Sequence, residues 1–424
     1  DSSSVGTYEI RYTAYDSLRN RTTVKRTVKV VRKLDGIIKE DTNNQNYYSG
    51  ADVNNYVQFS GMLWRIVGIN EDGTIKLITN DSVSNVTYGN QGDYDKTNIY
   101  KWLNDYFYDH LQSKDYIVKS DWCVGDVSSA TDDGCKDTKN ANVGLLTLYE
   151  YQRATQDSSN YLASVAMGSY WLANKQNDEN SWVVRDSVTE TFKTTDITTT
   201  RPVINIDKNV YAEKGDGSSG NPYFLGDYTT GNSNSKLNDR LVGERVEYSG
   251  YNWIIMDTDK NGTTLIMTDS ILDRTEEPLE ISYDDGDKKH QYNIEEKGNV
   301  GYQIEREVKD YLVDDDKIIE NEWEIVEFDN TKTYDDFEKT SFKSKYSIPK
   351  SYDMFSATVS TRSWLIDYSK TEDNIVFVGP GGRAFDMNID EGFANNAVRL
   401  VIKLDDSTAI SSGEGTDVSP YIIK

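Results

Sequence analysis

The hydrophobic pattern of residues 56–80 occurs a second time at residues 246–270. In both stretches an apolar run ends in Ser-Gly, a Trp follows three residues after the Gly, and a polar turn precedes a last apolar run. Short apolar runs separated by Gly-containing turns are typical of strands joined in a hairpin. Because self-similarity in a fixed order marks repeated structural units, the pattern predicts two related modules in tandem.

The rest of each module keeps the same order of elements. Apolar residues at three- and four-residue steps predict a helix over residues 97–111, and a Thr147–Glu150 capping pattern predicts a second over residues 145–155. Strands follow in the first module at residues 170–173, 181–185 and 201–206. In the second module, residues 302–312 take the place of the first helix, and the later matching segments are 363–366, 396–404 and 413–423. We therefore expect an α+β fold of two antiparallel-sheet modules with two helices each.

Residues 7–31 alternate apolar and polar positions in two strands joined at residues 17–20. Two strands cannot hold a core by themselves. The order of Gly6, Thr7, Tyr8, Asp16 and the later Arg-x-Val-x-Val resembles the closing strands of bacterial immunoglobulin-like repeats. That resemblance implies an all-β immunoglobulin-like fragment, whose missing strands either lie upstream or are replaced by another partner.

These patterns divide the chain into five segments. They are the immunoglobulin-like strands (1–32), a polar linker (33–50), the first module (51–226), a Gly-, Asn- and Ser-rich linker (227–238) and the second module (239–424).

The composition of the chain excludes some classes of partner and favours an extracellular setting. The 424 residues are 36% hydrophobic and 12% aromatic, which indicates a globular chain because disordered acidic chains contain few aromatics. A net charge of −25 repels phosphate backbones and anionic lipid, so we expect neither a nucleic-acid partner nor membrane insertion. The Tyr-, Thr-, Asn- and Asp-rich composition favours an extracellular protein, with its signal and anchor outside this segment.

Two short motifs suggest cofactors or metals, and both fail in context. Gly215, Gly217 and Gly220 spell the dinucleotide motif G-x-G-x-x-G, but Pro222 follows where that motif needs a helix, so a closing turn is expected. Asp257, Asp259 and Asn261 open like a calcium-binding loop. The twelfth position, however, is Thr268 rather than Glu, so these three residues are a weak metal candidate. No cofactor and no catalytic residue is predicted.

Cys123 and Cys135 lie in a polar loop of the first module and have no counterpart in the second. In an extracellular protein this spacing favours a local disulfide. Free thiols or half of a metal site are the alternatives. The repeated Trp64 and Trp253, Trp171 and Trp364, and Arg201 and Arg399, are predicted to form the shared core of the modules.

The first module carries a more specific resemblance. Its order Y-V-x-F-x-G-x-x-W-R-I-V-G, K-W-L-N, W-C, G-L-L-T-x-x-E-Y, Y-W-L and R-P-V-I-N-I resembles an uncharacterised domain family found repeatedly in surface proteins of Gram-positive bacteria. The match covers about residues 50–225 and, more loosely, 240–424. Its order of elements is also similar to C-type-lectin-like folds. The family has no assigned activity to carry over.

These observations favour a non-enzymatic, extracellular bacterial cell-surface protein. In the first hypothesis it is an adhesin whose long loops, at 81–96, 120–142 and 272–300, contact a glycan or protein of a host or neighbouring cell. In the second it is a subunit of a surface stalk or filament that binds copies of itself through its N-terminal strands. A carbohydrate-active enzyme is a distant third.

Overall fold

The chain folds mainly into β-sheets. The structure, a computed structural model, describes residues 5–164, 167–225, 235–284, 291–369, 374–388 and 395–423. It is 44% strand and 13% helix, divided among many sheets. The predicted α+β class, with two helices in each module and a likeness to C-type-lectin folds, is therefore wrong.

The strands before residue 226 alternate with short turns. In chain order they are β1 (Gly6–Tyr15), β2 (Arg21–Val30), β3 (Arg32–Lys33), β4 (Tyr56–Phe59), β5 (Met62–Ile69), β6 (Ile75–Thr79), β7 (Ser84–Thr87), β8 (Ser120–Cys123), β9 (Thr138–Ala141), β10 (Val143–Gly144), β11 (Ser169–Lys175), β12 (Asn180–Arg185), β13 (Val188–Lys193), β14 (Ile197–Thr200), β15 (Val203–Ile206), β16 (Tyr211–Lys214) and β17 (Tyr223–Leu225).

The strands after residue 234 continue the same way. They are β18 (Arg245–Tyr248), β19 (Tyr251–Asp259), β20 (Gly262–Met267), β21 (Glu280–Ser282), β22 (Asn321–Phe328), β23 (Glu338–Ser344), β24 (Tyr346–Ser347), β25 (Ser363–Ser369), β26 (Asn374–Val378), β27 (Ala384–Asn388), β28 (Asn395–Ala397), β29 (Val401–Asp405), β30 (Ile410–Ser412) and β31 (Tyr421–Ile423).

The helices are short. They are α1 (Leu34–Asp41), α2 (Asn98–Lys101), a π-helical stretch (Trp102–Phe107), α3 (Tyr108–His110), α4 (Leu148–Arg153), α5 (Val300–Arg306) and the 3₁₀ turns Tyr94–Lys96, Lys114–Tyr116, Leu237–Asp239, Val308–Tyr311 and Tyr334–Asp336. From α2 to α3 the chain is one continuous helix, here called the 98–110 helix.

Both helices predicted in the first module are present. Thr97 caps the 98–110 helix by accepting a hydrogen bond from the Tyr100 amide, and Thr147 and Glu150 form the predicted capping box of α4. In the second module α5 occupies the place of the 98–110 helix, but residues 350–357 form turns where α4 stands in the first module. The prediction of two helices in each module fails at this point.

The larger sheet has the same strand order in both modules. In the first it runs β10-β15-β6-β5-β4-β17-β16, with β3 added at the edge, and in the second β24-β29-β20-β19-β18-β31-β30. The registers also correspond, because Trp64 pairs with Val57 in the first module and Trp253 with Val246 in the second. The sequence repeat is therefore matched by a repeat in strand order and register.

The smaller sheet repeats as well. Its order is β13-β12-β11-β14-β7 in the first module, and β27-β26-β25-β28-β21 are joined in the same way in the second. A strand hairpin accompanies each module: β8–β9 is separate in the first, whereas β22–β23 joins the smaller sheet in the second.

The N-terminal hairpin forms as predicted, but the segment after it is not a simple linker. β1 and β2 pair over ten residue pairs, and nearly all their side chains are exposed. The predicted linker was residues 33–50. Its first residue belongs to β3, which pairs with β16, and α1 follows and buries Leu34, Ile37 and Ile38. The polar composition of that segment concealed three buried side chains at helical spacing.

None of the described helices combines the length and apolar character needed to span a bilayer.

Candidate functional site

Two tryptophan pairs singled out in the sequence lie in the same environment in each module. Trp64, Trp171, Trp253 and Trp364 have no exposed surface. The indole of Trp64 donates to the Phe59 carbonyl and that of Trp253 to the Tyr248 carbonyl, both at 2.9 Å. Those of Trp171 and Trp364 donate at 2.8 Å to the Val86 and Ile281 carbonyls, respectively.

Sequence reasoning missed a third pair, Trp122 and Trp323. The indole of Trp122 donates to the Ala141 carbonyl at 3.0 Å across the β8–β9 hairpin, and that of Trp323 donates to the Ser344 carbonyl at 2.9 Å across β22–β23. These two residues are 201 positions apart, whereas Trp64 and Trp253 are 189 apart. A longer second-module segment before the hairpin shifts the spacing, so a search allowing a variable offset would have found them.

The repeated arginines, Arg201 and Arg399, also occupy equivalent positions in the two modules. Arg201 and Arg399 are buried, and their guanidinium groups donate hydrogen bonds to main-chain carbonyls rather than to a carboxylate. Arg201 reaches the Thr79 and Leu162 carbonyls, and Arg399 reaches the Met267, Phe355 and Ser356 carbonyls. Thr79 pairs with Trp64, and Met267 pairs with Trp253, so the first acceptor is equivalent in the two modules.

The 98–110 helix of the first module packs against the second module. The Trp102 indole donates to the Tyr352 carbonyl at 2.9 Å, and the Tyr334 amide donates to Asn98 Oδ1 at 2.8 Å. Lys101 Nζ lies 3.1 Å from Asp335 Oδ2. The two modules therefore share polar contacts across a buried aromatic surface.

A cleft of about 670 Å³ opens beside this contact and is lined by both modules. Tyr106 and His110 come from the 98–110 helix, and the remaining lining comes from the second module. Those residues lie on β19, β20 and β29, on the β22–β23 hairpin and on the turn after β24: Met256, Asp257, Asp259, Thr264, Asn321, Glu322, Trp323, Glu324, Lys339, Thr340, Ser341, Ser347, Ile348, Lys350, Asp353, Val401 and Lys403. We call it the intermodule cleft.

Two largely buried lysines, each paired with carboxylates, form the floor of the intermodule cleft. Lys403, whose side chain is 6% exposed, lies 2.7 Å from Asp259. Lys350 lies 3.1 Å from Glu324 and 3.5 Å from Asp353. Burial by itself lowers the pKa of Lys350, but Asp353, Glu324 and two neighbouring tyrosines together outweigh burial and hold that pKa well above its usual range. The Lys350 ammonium group is therefore charged, and contacts with carboxylates fix both lysines in position.

Asp367 accepts a hydrogen bond from the turn that begins at Ser351, beside the cleft. Ser351 donates its amide to Asp367 Oδ2 at 2.5 Å, and burial raises the pKa of this carboxyl to about 7. In the first module the Leu148 amide donates to Asn174 Oδ1 at 2.9 Å in the same arrangement. The Asn174 amide and the Asp367 carboxyl thus accept the equivalent main-chain hydrogen bond in the two modules.

The first module has an equivalent cleft of about 530 Å³. Its floor holds an ion pair between Lys76 and Glu150, and Lys76 Nζ lies 5.3 Å from the Trp122 ring centroid. Burial raises the pKa of Glu150, but Lys76 outweighs it, and the net shift is downward. Both clefts therefore combine a Trp-bearing hairpin with a buried lysine–carboxylate pair.

The floor lysine has changed strands between the modules. In the first, Lys76 on β6 pairs across the sheet with Asn205 on β15. At the corresponding pair of the second module, Thr264 is on β20 and Lys403 is on β29. This strand pair thus supplies an ammonium group to each floor, although the strand that carries the lysine differs, which is why aligning the two sequences did not reveal it.

The weak calcium candidate is a hairpin turn. Asp259 accepts from the Asn261 and Gly262 amides with one carboxylate oxygen and pairs with Lys403 through the other. Asp257 lies 3.9 Å from His110. Within the described parts of the chain, no three His, Cys, Asp or Glu side chains are grouped to hold a metal.

The G-x-G motif is a closing turn in both modules, as predicted. Gly215 and Gly413 have φ near +95° and +100°, and a Cβ on either would lie 1.9 Å from the carbonyl of Pro222 or Pro420. Only glycine fits this backbone and this approach.

The predicted disulfide between Cys123 and Cys135 is present. Both cysteines line the first-module cleft, where the bond ties the end of β8 to the loop before β9. In the second module Glu324 follows Trp323 at the place of Cys123, and it pairs with Lys350.

Replacing both cysteines by Ser should lower the free energy of unfolding by about 2–3 kcal/mol, because a twelve-residue loop closure is lost from the unfolded chain. Urea titration followed by Trp fluorescence measures the change. The wild-type protein treated with a reductant should move by the same amount, whereas the double variant should not respond to reductant. A response of the variant would refute this assignment.

The three loops expected to carry the ligand surface have different surroundings. In 81–96, residues 83–89 are buried, and the Asn85 amide donates to the Ser351 carbonyl of the second module. That loop is contact surface between the modules. Loop 120–142 forms a wall of the first-module cleft. In 272–300, residues 285–290, including His290, lie outside the described residues.

Comparison of the chain with models of protein families, with curated proteins and with solved structures found no match. The resemblance to a surface-protein domain family, the extracellular setting and the domain boundaries therefore stay predictions.

Proposed function

We propose that this protein is a non-enzymatic, extracellular binding protein of the bacterial cell surface, and that the intermodule cleft holds its ligand. The observation that carries the proposal is the composition of the cleft walls. Tyr106 and His110 come from one module and the floor comes from the other, so the ligand site exists only in the assembled tandem.

The cleft is suited to a polar ligand. A volume of about 670 Å³ falls within the range of pockets that take small molecules or short segments of larger ones. Hydroxyl groups of Thr264, Thr340 and Ser341 and the edge of Trp323 lie among the charged groups. A glycan or a protein segment of a host or neighbouring cell offers matching hydrogen-bonding groups.

The charged groups at the floor support binding rather than catalysis. Lys350 and Lys403 are each held by carboxylates, as described above. His110 Nδ1 donates to the Tyr106 carbonyl at 2.8 Å. Side chains fixed in this way give a preorganised surface, which reduces the entropy lost when a ligand binds.

Arrays of glycans and of surface-protein peptides test the proposal, followed by calorimetry with each hit. Replacing Asp257 and Glu322 together by Ala should weaken binding about tenfold or more, because both carboxylates are exposed at the cleft and accept ligand hydrogen bonds. Asp178→Ala, at a fully exposed carboxylate away from the cleft, is the matched control. Failure of the wild-type protein to bind any array member, or equal binding by the double variant, would contradict the proposal.

A further inference from the structure

The charge of the chain is divided unevenly between the N-terminal strands and the rest. Residues 1–33 contain eight Lys or Arg and three Asp or Glu, which is a net charge of +5. Since the whole chain has a net charge of −25, the other residues together carry −30. We call the hairpin of β1 and β2 the basic ribbon.

The basic ribbon projects into solvent. Tyr12, Tyr15 and Leu18 are 52%, 66% and 80% exposed. Tyr8 and Tyr12 pair with Val28 and Val24, so four apolar side chains share one face of the ribbon. A two-stranded ribbon with an apolar face is marginally stable by itself, and such surfaces mark sites of interaction.

The intermodule cleft presents the opposite charge. Two of its three lysines lie at the floor, where Lys403 is 6% and Lys350 is 19% exposed, and both are paired. The third, Lys339, is 33% exposed on β23 and lies 3.9 Å from Glu324. The carboxylates stand at the rim: the side chain of Asp257 is 52% exposed, that of Glu324 is 45% exposed, and Glu322 is also exposed. Five carboxylates and three lysines line the cleft, so it favours a cationic ligand.

Among the residues that the structure describes, the cleft also offers the edge of a sheet. β23 is the last strand in its sheet order, and its residues Lys339, Thr340 and Ser341 line the cleft. Within the described ranges, each strand of the basic ribbon likewise pairs with one neighbour in its two-stranded sheet. Main-chain hydrogen bonds between two such edges are the basis of recognition by strand addition.

Charge decides which surfaces of two copies can meet. Two basic ribbons repel each other, and so do two acidic rims. We propose that the basic ribbon of one copy docks at the intermodule cleft of a second copy, so that the polar ligand in the proposed function is the ribbon of another copy. This contact joins different surfaces, and it therefore builds a ring or an open filament rather than a closed two-fold dimer.

The first test is the size of the full chain in solution. Light scattering on a sizing column should show oligomers at about 50 mM NaCl, and these should dissociate at about 500 mM, because salt screens contacts between exposed charges. A 48.2 kDa monomer at both salt concentrations would overturn the inference.

Charge reversal identifies the surfaces. The ribbon variant R19E/R21E/R26E and the cleft variant D257K/E322K should each be monomeric at low salt, since each carries like charges on ribbon and cleft. Mixed together they should form oligomers again, because the ribbon of the cleft variant meets the unaltered cleft of the ribbon variant. The control K193E/K208E/K297E has the same charge change as the ribbon variant at other exposed positions and should assemble like the wild type.

This inference rests on the proposed function, and the two fail differently. If the ribbon variant or the cleft variant still assembles by itself, or if mixing restores nothing, docking of the ribbon at the cleft is refuted. A Lys/Arg oligopeptide titrated into the monomeric ribbon variant then tests the cleft separately. Binding that D257K/E322K abolishes keeps the cleft as a cation-binding site, and no binding removes that function as well.

Discussion

Replacing Arg399 by Met should lower the free energy of unfolding by about 3–5 kcal/mol. The guanidinium has no exposed surface, and its Nε, Nη1 and Nη2 donate at 2.6, 2.9 and 2.8 Å to the Met267, Ser356 and Phe355 carbonyls, respectively. Met fills a similar volume but has no donor. Three buried carbonyls then lose the hydrogen bond from the guanidinium. The Phe355 carbonyl keeps the Thr358 amide as a donor, but the loss of the other bonds carries a desolvation cost that the native structure avoids.

Urea titration followed by Trp fluorescence measures this effect. Arg399→Lys should recover little of the loss, because one ammonium group cannot reproduce the fork that spans three carbonyls. Arg185→Met is the control, since Arg185 is half exposed and pairs with Glu190 at the surface, and its effect should stay within about 0.5 kcal/mol. If Arg399→Met is no more destabilising than Arg185→Met, the guanidinium is not the support described here.

Replacing Asp367 by Asn should remove a fall in stability that the wild-type protein undergoes between about pH 4 and pH 7. The carboxyl has a pKa of about 7 in the folded protein, raised mainly by burial from an ordinary value of 3.8. In that pH range the unfolded chain releases this proton while the folded chain keeps it, so stability decreases as pH rises. The accumulated difference is about 4 kcal/mol above pH 7, and it is absent below pH 4.

The first module supplies the reciprocal control. Asn174 already performs the task of Asp367 with an uncharged amide, donating to the Gly125 carbonyl while it accepts from Leu148. Asn174→Asp should therefore introduce a stability loss that grows as pH rises, opposite in sign to Asp367→Asn. Unfolding measured in urea at a series of pH values distinguishes these outcomes. Parallel pH profiles for the wild type and Asp367→Asn would show that Asp367 does not hold its proton in the fold.

The sequence by itself determined the local structure and the repeat. The Trp64 and Trp253 hairpins, the Thr147 capping box and the turn at Gly215 follow from spacing and backbone preference within a few residues, and all are present. The two cysteines also lie close enough along the chain for their pairing to be inferred. Such features depend on neighbours in sequence, which a single chain displays directly.

The fold class was mistaken because helical periodicity was given too much weight. The 98–110 helix is real, but residues 350–357 lack the helix that their counterpart 148–153 forms. In that place Lys350 stands where the first module has Thr147 as helix cap, and Pro349 precedes it. Repeated sequence did not guarantee a repeated helix, because the capping chemistry had changed.

Only the tertiary structure decided which surfaces meet. Trp102 and Tyr106 have the spacing of a helix that packs into its own module, yet Trp102 donates to Tyr352 and Tyr106 lines the intermodule cleft. The corresponding positions of α5 and the turn after it are Gln303 and Glu307, which face a different environment. Helical spacing fixes which residues share a face, but the partner of that face lies 250 residues away in the chain and is selected by packing.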